Sequence, residues 1–122
     1  MTLDDILDDI EALGRAKAET TREINRAAKE AAEEAKAKTR VAEAARNRAL
    51  EATTAAQKAW EENPNSATLE ALEDEARTAR RAASEAVQAS QAAWEKARAA
   101  RAAWEEAREA YAAWIKAREF LG

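Results

Sequence analysis

Five acidic side chains, Asp4, Asp5, Asp8, Asp9 and Glu11, crowd the start of the chain, and Arg98, Arg101, Arg108 and Arg118 stand at intervals near its end. Clustered carboxylates are hard oxygen donors suited to calcium. An EF-hand, however, sets its ligands at alternate positions of a loop that turns on a glycine, and the acidic cluster has neither feature. The same acids at a helix start answer the positive end of the helix dipole, so a solvated N-terminus is the expectation. Arginines offer a planar fork to phosphates or carboxylates. Here they alternate with Glu95, Glu105, Glu106, Glu109 and Glu119, a pattern that reads as a solvated helical face with pairs between residues i and i+4. The sequence has no histidine and no cysteine, so the commonest general base, the usual transition-metal ligands and the thiolate nucleophile are missing. No glycine-rich loop could cradle a phosphate. The expectation is a chain that is not an enzyme and takes no metal, cofactor or small-molecule substrate.

What remains is the indole. Trp94, Trp104 and Trp114 stand ten residues apart within AAWEKARAARAAWEEAREAYAAWIKA, and the interval has to be set by the element that carries them. Alanine makes up about 30% of the sequence and glycine and proline together occur three times, a composition that predicts an all-α protein of long helices. A net charge of −4 supplies no positive field for nucleic acid or anionic lipid. No apolar run approaches the ~18 residues that a membrane span requires, and the acidic opening MTLDDILDDI is unlike a secretory signal. A soluble chain, cytoplasmic or part of a particle, with no nucleic-acid partner and no membrane span is therefore expected.

One strong break divides the sequence. Asn63-Pro64-Asn65-Ser66 joins a proline, which disfavours helix at the residue before it, to polar residues able to cap the next helix. Thr2 and Asp5 have the spacing of a capping box. These signals predict a single domain over residues 1–122, with a first helix over about 3–62, a turn over about 63–65 and a second helix over about 66–121. Each helix would be roughly 80–90 Å long at 1.5 Å per residue.

Alternating steps of three and four from Leu69 give an almost unbroken apolar seam through Ala76, Ala83, Ser90, Ala97, Trp104, Tyr111, Trp114 and Leu121, with Ser90 and Arg118 as its exceptions. Trp104 and Trp114 lie on this seam, and Trp94 falls beside it. A matching stripe in the first helix runs from Leu7 and Ile10 through Gly14, Lys17, Thr21 and Ile24 to a succession of alanines broken by Lys38. Folding at Pro64 pairs residues whose numbers sum to about 128, and the two stripes then coincide. In that register Trp104 meets Ile24, Leu121 meets Leu7, Lys38 meets Ser90 in a polar layer, and Trp114 meets the space left by Gly14. The predicted fold is a long antiparallel two-helix hairpin with an alanine-rich coiled-coil seam. Alanines bury little area each, so assembly of the hairpin into a larger helical bundle is expected.

The surface for that assembly is sought among large apolar residues, most of them at the end away from the turn: Leu3, Ile6, Leu13, Trp94, Trp104, Tyr111, Trp114, Ile115, Phe120 and Leu121, together with Trp60 beside the turn. Trp60 could instead pack onto Thr68 and Leu72. The implied partner is a second copy in a homo-oligomer, or another helical protein. A cysteine-free hairpin with a tryptophan by its turn resembles, in architecture, the Trp-x-Gly family of secreted actinobacterial helical hairpins, and that resemblance implies pairing into a four-helix bundle. The chain departs from the family at two places. Trp60-Glu61-Glu62 has no glycine two residues after the tryptophan, and Ile115 stands four residues after Tyr111, where the export signal of the family needs an acid. Three function classes fit: a structural or assembly component, for instance of a phage particle; a de novo designed helical protein, suggested by the spare use of Gly and Pro; and a regulatory or secreted binding hairpin.

Overall fold

The computed structural model describes residues 2–121, Leu121 by its backbone alone. Two α-helices, α1 (Leu3–Glu62) and α2 (Ala67–Leu121), pack against each other as a hairpin, with no strand among the described residues. The helix start is fixed by a reciprocal capping box. The Thr2 amide donates to Asp5 Oδ2 at 3.0 Å and the Asp5 amide donates to Thr2 Oγ1 at 3.2 Å. The Thr2 backbone N–H, and after it the Thr2 hydroxyl, hold the Asp5 carboxyl below its usual range. α1 then runs through Gly14 without a break and without a positive φ, so the residues before Gly14 continue the same helix.

At the other end of α1 the Asn63 amide still bonds to the Ala59 carbonyl, and Pro64 turns the chain where its fixed φ suits the second position of a β-turn. The Ser66 amide closes that turn on the Asn63 carbonyl at 3.1 Å, and Asn63 Oδ1 accepts from the Asn65 amide at 3.2 Å. Ser66 is the cap of α2: its Oγ accepts from the Thr68 amide at 3.2 Å, one residue outside the helix rather than in it.

Contacts between the helices gather into two units. One, Glu33–Trp94, contains the turn and is built on alanine. Its buried residues are Ala35, Ala42, Ala49 and Ala56 from α1, and Leu69, Ala76, Ala83, Ser90 and Ala93 from α2, with Ala35 at zero exposure. These are the seam positions expected from the heptad pattern. Within this unit, cysteines replacing Ala45 and Ala83 are expected to form an intrachain disulfide under mild oxidation, whereas cysteines at Ala45 and Ala76, one heptad out of step, should stay reduced. The reverse result, read by mobility on a non-reducing gel, would overturn the register.

The polar layer of this unit has a different donor set from the expected one. Ser90 meets Thr39 at 3.0 Å, not Lys38, whose ammonium reaches back 4.0 Å to Glu34 on its own helix. Thr39 sits one residue, about 100° of helix, further round. It can bring a short hydroxyl to Ser90, whereas the ammonium on its long stem stays near water. Trp60, also in this unit, remains more than half exposed, so packing across the turn covers little of it.

The second unit, Met1–Ala32 with Glu95–Gly122, carries the larger side chains. Gly14, Ala31 and Ala97 are buried in it, while Ile10, Ile24, Trp104, Tyr111, Trp114 and Ile115 are only half-buried. The expected contact of Leu7 with Leu121 falls on a side chain outside the described residues, and Leu7 itself is 48% exposed. Arg118, the exception in the α2 seam, is exposed.

Candidate interaction surface

The Trp-rich end is organised by pairs one helical turn apart. The guanidinium of Arg108 lies 5.4 Å from the Trp104 ring and that of Arg118 lies 5.8 Å from the Trp114 ring, each a cation–π contact between residues i and i+4. Tyr111 stacks on Trp114 with centroids 6.3 Å apart and planes 13° apart. The arginines of the repeat thus divide their roles. Arg101 makes the expected helical pair with Glu105 at 3.4 Å, whereas Arg108 and Arg118 cover indoles. The spacing Trp-x-x-x-Arg carries this signal in the sequence, where the alternation of Arg with Glu overlies it.

Gly14 faces the Trp114 ring directly. A Cβ built on it would lie 2.8 Å from Cζ3 and 2.9 Å from Cζ2 of the indole, and closer still to Cη2. The space expected there is present and filled. Glu11, Arg15 and Ala18 edge the same groove beside Tyr111, Trp114 and Arg118. On the opposite flank of this unit a second groove is lined by Leu13, Ala16, Thr20, Ala107 and Ala110.

In the turn-containing unit, Trp94 is tied to α1. Its Nε1–H donates to Thr39 Oγ1 at 2.8 Å. The Thr39 hydroxyl gives its single hydrogen to the Ala35 carbonyl at 2.9 Å, so it accepts from both Trp94 and Ser90, and its capacity is full. No buried side-chain polar atom among the described residues lacks a partner. Nothing in the sequence pattern picks out Thr39, because a threonine in a helix more often bonds only to the carbonyl four residues back, as Thr20, Thr21, Thr54 and Thr78 do here.

The residues singled out in the sequence therefore fall into three groups. Leu3, Ile6, Leu13, Trp60 and Phe120 are exposed, at 72, 42, 50, 56 and 93%. Trp104, Tyr111, Trp114 and Ile115 are half-buried. Trp94 is 37% exposed although its N–H is used internally, and the Leu121 side chain is not described. Val41 and Leu50, at 61 and 67% exposure, extend the uncovered apolar surface beyond that set. Leu50 lies outside the positions flanking the seam, so a search confined to seam and flanks does not find it.

Among the described residues, no group of acidic side chains is arranged to hold a metal ion, and no helix is long and apolar enough to cross a membrane. No protein-family model, curated protein or solved structure matches the chain.

Proposed function

We propose that the chain is a non-catalytic assembly module, a helical hairpin that joins a second copy or another helical protein through the apolar surface of its open end. It would serve as a spacer or peg in a larger complex, in a cytoplasm or a particle. The observation that carries this reading is the mismatch between side-chain size and burial. Among the described residues no large side chain is fully buried and the core is almost wholly alanine, yet Leu3, Ile6, Leu7, Leu13 and Phe120 each expose 42% or more. In a folded monomer that surface stays in water, and covering it gains roughly 25 cal/mol per Å2 of apolar area before the costs of association are subtracted. Exposed patches larger than a few hundred Å2 are uncommon in monomers and mark contact sites.

Sedimentation tests the reading. The wild-type chain is expected to run above its 13.4 kDa monomer mass at micromolar concentration. The variant Leu13→Glu, Phe120→Glu is expected to run as a monomer with helical circular dichroism largely unchanged, since Leu13 is half exposed and Phe120 almost wholly exposed in the single hairpin. A wild-type monomer at high micromolar concentration would exclude self-association, and a variant that keeps the wild-type mass would place the contact elsewhere.

A further inference from the structure

The α2 helix has a second stripe, turned away from the seam, at which three-four steps pass through Lys96, Ala99, Ala103, Glu106, Ala110, Ala113, Ala117 and Phe120, all of them exposed. Such a stripe is what a helix presents when a second helix packs on it. Its two charged members have no opposite charge one turn away on their own helix. The residues three and four away from Lys96 are Ala92, Ala93, Ala99 and Ala100, those around Glu106 are Ala102, Ala103, Glu109 and Ala110, and neither side chain joins an ion pair among the described residues. Both side chains are therefore open to a charge brought by a partner.

They do complement each other across a two-fold axis. If α2 of a second copy lies antiparallel on this stripe, centred level with Arg101, Lys96 of each copy meets Glu106 of the other, and Ala99 meets Ala103 twice. The stripe carries on as exposed alanine on both sides of this core, at Ala89 and Ala92 and at Ala110 and Ala113. A shift of one heptad in either direction sets both charges against alanine. We infer that the partner of the hairpin is a second copy of itself, joined antiparallel through α2 with reciprocal Lys96–Glu106 pairs fixing the register. The inference rests on the proposed self-association and adds its geometry. Alanine layers allow close approach of the helices, and the charge pairs select one alignment among several of similar apolar content.

Charge reversal tests it. Lys96→Glu alone, or Glu106→Lys alone, places like charges together twice per dimer and is expected to weaken self-association roughly tenfold or more. Neither change sets like charges three or four apart in its own helix, so helix content should hold. The double variant Lys96→Glu, Glu106→Lys is expected to restore wild-type mass in sedimentation. An equimolar mixture of the two single variants should form a heterodimer, which separates from either alone. A wild-type monomer would sink the self-association reading together with this inference. A wild-type oligomer indifferent to both reversals, or weakened by them without rescue in the double variant and the mixture, would overturn the α2 pairing alone.

Discussion

Gly14→Leu is expected to expel the Trp114 indole and to lower the stability of the hairpin by about 1–3 kcal/mol, the usual cost of overpacking. The conflict begins at the first added atom, since a Cβ at residue 14 already lies under 3 Å from the ring. The indole cannot yield without loss, because it stacks on Tyr111 and carries the Arg118 guanidinium. A sharper form of the experiment uses alanine. In an ordinary helix Gly→Ala stabilises by about 1 kcal/mol through propensity alone. Here the clash opposes that gain, so Gly14→Ala should be neutral or destabilising with Trp114 in place and stabilising once Trp114→Ala has removed the ring. Four denaturation curves, for wild type, each single variant and the double variant, decide the matter. Equal effects of Gly14→Ala in the two backgrounds would mean that the glycine and the indole do not touch.

The seam is legible in the sequence because it depends on a period and a fold point. A heptad pattern fixes which face of each helix is covered, and Pro64 fixes where the chain doubles back, so Gly14 could be set against Trp114 from numbering alone. What escaped depends on side-chain reach within a layer. Lys38 and Thr39 are neighbours in sequence, and the choice between them at Ser90 rests on which side chain can end its polar atom at the seam. The division among the arginines was in the sequence, at the Trp-x-x-x-Arg spacing, and was masked by the more familiar pairing with glutamate. The candidate surface was legible as a list of large apolar residues but not as exposures. Ile115 and Phe120 look alike in a hydrophobic count, yet one is half-buried beside the seam and the other is 93% exposed.

Thr39→Val is expected to destabilise the turn-containing unit by about 1–2 kcal/mol, although the replacement keeps the shape of the side chain. The lost hydroxyl accepts from both Ser90 and Trp94, and an orphaned buried donor costs about 1–3 kcal/mol. The lower part of that range applies because each donor has some recourse. Ser90 can turn to a carbonyl of its own helix, as the threonines of α1 do, and Trp94, being 37% exposed, can find water. Ser90→Ala should cost less, since it removes a donor and leaves Thr39 its bonds to Trp94 and Ala35. The diagnostic comparison is with Trp94→Phe, which keeps an aromatic ring and deletes the N–H. If the indole is held by Thr39, Thr39→Val will cost less in the Trp94→Phe background than in wild type, with a coupling of at least about 0.5 kcal/mol, whereas independent sites add to within roughly 0.3–0.5 kcal/mol. Additive effects in equilibrium denaturation would release Trp94 from α1. Its N–H would then be free for a partner, and the reading of the Trp94 flank as internally committed surface would have to be given up.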